Sequence, residues 1–426
     1  MKKYCGNCGT EMAQDDKFCA ICGTKFESTV VEKQLSKEVT AVLERIKQRE
    51  EAYLDKIQGS FIGGAIGDAL GYPVEFLSYN DIKEKYGNQG ITQYKLNRVS
   101  GKALISDDTQ MTLFTANGLL YGQTRAKLRG IAGEPSSYVF RAYLNWLETQ
   151  DYEVRFPHRM SWLMNVEELY DQRAPGRTCI EALTNRSSNG EYGSTTNIIN
   201  QSKGCGGVMR VAPVGLFFER NNIRSIDKDG AEIAAITHTH PLGYMPAALL
   251  THIIHRIVYG GCSKGSSLLN IVEEGLETVA EIYKDTKHID ELVDIVHRAI
   301  LLSQNNNTDY ENIKQLGEGW VAEEALAIAL YCCLKYQADF TKAVIVSVNH
   351  DGDSDSTGSI TGNIMGALLG ISNIDDMWMQ NLELKDIILE IATDICHGCQ
   401  MTEYGTYNDD VWCDKYIYAK HKKVHK

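Results

Sequence analysis

Proline is scarce in this sequence, seven residues in 426, and beyond residue 56 strand-like alternation of apolar and polar positions is scarcer still. Few helix breakers and little period-2 patterning exclude a sheet-based fold and leave helices. Positive charge is also in deficit: 43 Lys and Arg stand against 56 Asp and Glu, a formal net charge of −13. That balance excludes a broad nucleic-acid-binding face, which phosphates would avoid. No apolar leader follows Met1, and the longest apolar run, ALAIALYCCL at 325–334, is too short to span a bilayer. A cytoplasmic protein with no membrane partner is expected. The charged share (23%) and apolar share (43%) are those of globular chains, and the length suits one large domain with an appendage.

Twelve cysteines without a secretory leader point to reduced thiols and metal ligands, not disulfides. Four fall in YCGNCGTEMAQDDKFCAICGTKF, as Cys5, Cys8, Cys19 and Cys22. Two CxxC pairs so close predict two knuckles closing one structural, tetrahedral Cys₄ zinc site; a redox function needs only one pair. A unit of about 25 residues has no core of its own, so the ion supplies its folding energy. Residues 1–26 are therefore expected to form a zinc ribbon, of the kind found at the ends of other chains, whose role is contact with a protein partner. Residues 27–55 follow as a charged helical connector with Val39, Val42, Leu43 and Ile46 at helical spacing, its C-terminal half docking on the main domain. A second metal set, Cys396, His397, Cys399 and Cys413, is a lesser candidate. The basic tail KYIYAKHKKVHK is expected to be a solvated end.

Within 56–426, glycines recur every fourth residue twice, at 59, 63, 67 and 71 and again at 358, 362, 366 and 370. Each costs about 1 kcal/mol of helix propensity, so two full stripes predict central helices approached closely by other backbone. Asp68 lies inside the first stripe as a structural hydrogen-bond acceptor. Just before the second, DGDSDSTG crowds Asp351, Asp353 and Asp355 into five positions. It is no EF-hand, because Ser356 and Gly362 stand where that loop needs Gly and Glu. One or two such acids would suit a helix N-terminus; three ask for a cation, and carboxylates with a hydroxyl suit magnesium or manganese. ISDDT upstream repeats the device with Ser106, Asp107 and Asp108 before another helical stretch. Together the two clusters can hold a pair of divalent ions about 3.5–4 Å apart.

GGAIGDALGYPVEF, ISDDT, GCGGVMRVAPVG, THTHPLGY and HDGDSDSTGSITG resemble, in order, the motifs of the ADP-ribosylglycohydrolases. The resemblance implies an all-α, compact multi-helix domain holding two magnesium ions at Ser106, Asp107, Asp108, Asp353, Asp355 and Ser356. It implies that the loop Gly204, Cys205, Gly206 and Gly207 meets the pyrophosphate of ADP-ribose, as glycine-rich backbone can, and that His238 lines the pocket. Glu75 is expected near the metal site on a segment covering the substrate. Asp108 and Glu75 are the candidates for handling the water and the leaving group. Cys205 reads as a small loop filler and not a nucleophile, with no base beside it, Arg210 as either a phosphate cation or, preferred, a structural partner for an aspartate, and His350 as orienting an aspartate. The implied activity is hydrolysis of the glycosidic bond between ADP-ribose and an acceptor, with motifs nearest the arginine-directed members. The alternatives are another adduct (serine, O-acetyl-ADP-ribose or nucleic acid), or a non-catalytic ADP-ribose-binding or zinc-ribbon interaction protein. The zinc ribbon lies outside the resemblance.

Overall fold

A glycine ridge on a helix is a groove one Cβ deep, and in the computed structural model the two ridges fill each other. The structure describes residues 3–5, 7–12, 18–24, 30–150, 155, 159–185, 191–217, 222–260, 267–402 and 407–420. Residues 27–29 of the connector and the last six residues of the basic tail lie outside these. The first stripe ends the helix Val30–Gly71 and the second forms the helix Ser354–Leu369. A Cβ on Gly366 would sit 1.9 Å from the Gly59 carbonyl oxygen, and one on Gly362 1.9 Å from that of Gly63. A Cβ on Gly67 would sit 1.9 Å from Gly358 O, and one on Gly71 2.3 Å from Ser354 O. The pairing descends on one helix as it climbs on the other, so the two run antiparallel with their backbones in contact. The seam is locked by a reciprocal pair: Ser60 Oγ donates to Asn363 O and Asn363 Nδ2 donates to Ser60 O, both at 2.9 Å. Sequence spacing predicted two central glycine helices; their mutual contact is the structure's contribution.

Around this seam the long unit, Tyr53–Lys426, is built from helices packed on helices. The helix Asp107–Arg129 buries almost its whole circumference as far as Gly122, which places it inside the bundle. Ala322–Lys335 packs between Ser354–Leu369 and Ile289–Ser303, while Pro241–Tyr259 packs against Ile223–Ala235. The helix Ser354–Leu369 starts two residues before the expected Ser356, with Asp353 as its N-cap.

The short unit, Met1–Ala52, has two pairs of strand residues, Lys3–Tyr4 antiparallel to Glu11–Met12. The same backbone bonds recur at its two CxxC segments. Cys5 N–H donates to Thr10 O and Gly9 N–H to Cys5 O, and the same bonds recur from Cys19 to Thr24 O and from Gly23 to Cys19 O. Gly9 and Gly23 both take positive φ, 73° and 70°, the left-handed turn that lets each loop fold back under its thiolates. Val39, Val42, Leu43 and Ile46 are exposed. No helix among the described residues is long and apolar enough to cross a membrane.

Candidate functional site

The ribbon's chemistry is settled by four sulfurs. The Sγ atoms of Cys5, Cys8, Cys19 and Cys22 all lie within 4.8 Å of one another, with Cys5–Cys22 and Cys8–Cys19 at 3.5 Å. Four thiolates converging on one point fit a closed tetrahedral zinc centre. The other cysteine set does not form one. Cys399 and Cys413 are buried with Met401 in a small apolar cluster, while Cys396 packs against the main core. These thiols go to two separate apolar surroundings, so the lesser candidate set does not converge on one point.

The second site is a cavity of about 310 Å³ where the mouths of two helices meet. On one side Ser106, in extended conformation, caps the helix Asp107–Arg129, its Oγ accepting the Asp108 N–H at 3.2 Å. This turn is held from below by Asp68, whose carboxylate accepts the N–H groups of Ser106 and Thr109 and the Thr109 hydroxyl. Arg173 holds it from the side, its carbonyl accepting the Asp107 N–H while its guanidinium grips Glu383, which accepts the Ile105 N–H. Asp107 and Asp108 are thereby turned into the cavity, and Gly176 N–H donates to Asp107 Oδ2 at 3.0 Å.

On the facing side Asp353 caps its helix by accepting the Ser356 N–H at 3.2 Å. Its own N–H donates to Glu318 O, an approach that Gly352 permits at φ 110°, where a Cβ would lie 2.1 Å from that oxygen. Asp355 and Ser356 line the cavity beside it. Glu75, four residues beyond the first glycine helix, completes the wall: one oxygen each of Glu75, Asp353 and Asp355 lie within 4.8 Å of one another. Ser106 and Gly207 stand behind this surface, Gly207 packed against the Gly243 carbonyl oxygen.

So many buried acids cannot all be ionised without a counter-charge. Burial, reinforced by the neighbouring carboxylates, pushes Asp107 up to about 7 and Glu75 up to about 9, and holds Asp108 and Asp355 well above the ordinary carboxylate range. Asp108 Oδ2 and Glu75 Oε2 are buried with no hydrogen-bond partner. Unsatisfied carboxylate oxygens on a wall of hard donors fit a divalent, oxygen-preferring cation.

Opposite the acids stands the loop Gly204–Gly206. It is tied to the segment carrying Trp320, since Cys205 N–H donates to Trp320 O and Ala322 N–H to Lys203 O. His238 is fully buried against this loop and lines the cavity. Burial, then the Arg210 charge, lowers its imidazole to about 3, so it is neutral. Thr237 Oγ1 accepts from Arg210 at 2.6 Å and lies 2.8 Å from His238 Nδ1. With the Thr237 O–H turned to Nδ1, the imidazole proton sits on Nε2, where it can be donated.

Three expectations need correction. Arg210 meets no aspartate; it lies over the Tyr143 ring, 4.3 Å from its centroid, and donates to Thr237. His350 orients no aspartate side chain: Nδ1 meets the Asp351 carbonyl and Nε2 the Thr357 hydroxyl. Cys205 is not isolated, because Asp353 Oδ2 lies 2.7 Å from its Sγ. Burial and the nearby carboxylates raise that thiol well above its ordinary range, so it is no nucleophile.

Sequence reasoning missed the rim. Phe76 and Trp320 stack at 5.8 Å where both line the cavity, with Pro175, Gly176 and Arg177 nearby. The available signal was a lone tryptophan in the glycine- and glutamate-rich loop GEGWVAEE.

Known proteins resemble this chain in sequence. The family model described as ADP-ribosylglycohydrolase matches residues 49–405, and a zinc-ribbon domain model matches 4–26. The ADP-ribosyl-[dinitrogen reductase] glycohydrolase of Rhodospirillum rubrum is 24% identical over 332 residues, 78% of this chain and 91% of the relative. The ADP-ribosylhydrolase ARH3 of Danio rerio is 25% identical over 374 residues, covering 80% and 89%. The ADP-ribosylarginine hydrolase Tri1 of Serratia proteamaculans is 23% identical over 348 residues, covering 80% and 79%. With the helical bundle, the paired acidic helix mouths and a matching model over most of its length, the chain belongs to the ADP-ribosylglycohydrolase family, glycosyl hydrolases of ADP-ribose adducts, and carries a zinc-ribbon domain at its N-terminal end.

Proposed function

We propose that this chain is a magnesium-dependent hydrolase of ADP-ribosyl-arginine on proteins. The observation that carries the proposal is the pair of partnerless carboxylate oxygens, on Asp108 and Glu75, in a cavity walled by two acidic helix mouths. Two magnesium ions, with manganese as a substitute, would be held by Ser106, Asp107, Asp108, Asp353, Asp355 and Ser356, neutralising the acids and gripping the hydroxyls of the distal ribose.

The chain's own groups do the rest. Gly204 and Gly206 present a wall without Cβ atoms on which the pyrophosphate can lie against backbone. His238 donates its Nε2 proton to a substrate oxygen without adding charge. Phe76 and Trp320 narrow the entrance and exclude water from the ribose. Cleavage at C1 develops oxocarbenium character, which the surrounding carboxylates favour. Asp108 and Glu75 share the remaining task of taking a proton from the attacking water and attending the departing group.

Arginine is favoured as acceptor because its guanidinium is a planar cation, suited to a cavity walled by carboxyl groups, Glu75 among them. A neutral serine oxygen gains nothing from that wall. The ribbon contributes contact with a protein partner: Tyr4, Phe18 and Ile21 are exposed on a unit of some two dozen residues. Incubation with ADP-ribosylated arginine, serine and nucleic acid, with magnesium or with chelator, tests the proposal. We expect kcat/KM to be higher for arginine than for serine, and Glu75→Gln to narrow that gap. Equal values, or a preference for serine, would refute the arginine assignment.

A further inference from the structure

Two aromatic rings line the cavity with much of their surface bare. Phe76 is 72% exposed and Trp320 38% exposed, and they stack at 5.8 Å with their planes 20° apart. Aromatic surface left in water is stabilised by whatever covers it. Each ring is set in place by the backbone around it. Leu77 N–H donates to Val74 O across Phe76, and Glu324 accepts the N–H groups of Glu318 and Gly319 just before Trp320. A third plane between the rings would need about 7 Å, so an occupant lies across an outer face. Phe76 directly follows Glu75, whose Oε2 is buried without a hydrogen-bond partner. Glu75 is also the acid that the six proposed magnesium ligands leave over. Among the described lining residues Arg177 carries the one full positive charge, and Glu181 pairs with it.

We propose that Phe76, Trp320 and Glu75 form the acceptor subsite, an aromatic and anionic recess that distinguishes a planar guanidinium from a compact ammonium; this deepens, and rests on, the hydrolase proposed above. Carboxylates alone attract both cations. A guanidinium can lay its plane on an aromatic face, which is the negative side of the ring, while its N–H groups reach sideways to Glu75 Oε2. An ammonium is more strongly hydrated and has no plane to stack, so it gains less. The rings thus add a selection by shape to the selection by charge.

The test uses the full chain loaded with magnesium and ADP-ribose, which carries no acceptor, with ethylguanidinium and ethylammonium as probes. Saturation-transfer NMR should show ethylguanidinium binding about tenfold tighter than ethylammonium. Trp320→Leu and Phe76→Leu should remove that preference, and Trp320→Phe should keep most of it, because a flat face remains. Equal binding of the two probes to the native chain, or an undiminished preference in Trp320→Leu, would overturn the proposal. So would an equal loss of ADP-ribose affinity in that variant, read by calorimetry, since the ring would then serve the nucleotide. In turnover, Trp320→Leu should raise KM for ADP-ribosyl-arginine about tenfold, with a smaller change for the serine adduct. If the native chain prefers the serine adduct, the arginine assignment falls, while the two probes still decide the subsite.

Discussion

Each acid in the cavity is acceptable as an anion only in company with a cation, and that has a thermodynamic signature. Asp107 is raised from 3.8 to about 7 and Glu75 from 4.5 to about 9, both chiefly by burial. A carboxyl with a raised native value gives full stability below its unfolded value and loses it as pH climbs through the native one. Without metal, the protein should therefore lose melting temperature from about pH 4 up to about pH 9, and magnesium should flatten the curve. Differential scanning calorimetry in chelator and in magnesium measures this; superimposable curves would show that no ion compensates these groups. Asp353→Asn keeps an acceptor for the Ser356 N–H but removes a charge. Its rate should drop about a hundredfold or more, while its metal-free melting temperature holds or rises as repulsion is relieved. A variant that is both slow and unstable would assign Asp353 a structural task instead.

At the level of helices, propensity and packing make opposite forecasts for one substitution. Gly→Ala in a helix interior should gain about 1 kcal/mol by propensity. At Gly362 or Gly366 the new methyl would lie 1.9 Å from a carbonyl of the partner helix, so we expect Ala to cost about 3 kcal/mol and Leu more. Urea unfolding of the Ala variants reads the sign directly. The stripes were legible because a four-residue glycine period is rare and costly. Their pairing was not, since a helix ridge states that something approaches it without naming what. The acid clusters were legible for the same reason, as crowding that demands explanation. The rim was not: Phe76, Trp320 and Gly176 come from irregular segments whose positions depend on tertiary bonds such as Cys205 N–H to Trp320 O. His350 was misassigned because a residue beside an aspartate in sequence need not face it in space, and Arg210 because its own segment, GGVMRVAP, names no partner for it.

Taken whole, the chain separates two donor sets, converging sulfurs in Met1–Ala52 and converging carboxylate oxygens in Tyr53–Lys426. Replacing Cys5 and Cys8 by Ser should release one zinc per chain, measurable by atomic absorption, yet leave kcat on a small ADP-ribosyl-arginine substrate unchanged. A matching fall in kcat would tie the ribbon to catalysis. The glycine seam, finally, has a consequence in time. Backbone resting on backbone has no rotamers to rearrange, so the helix that Asp353 caps and the one that leads to Glu75 cannot breathe separately. Amide protons from 358 to 366 should exchange with deuterium only when the whole bundle opens. Those beside Phe76 and Trp320, both exposed, should exchange by local opening thousands of times faster, at about the pace of loops. Admission and release of ADP-ribose would then be timed at the entrance, by a door moving against a frame that does not.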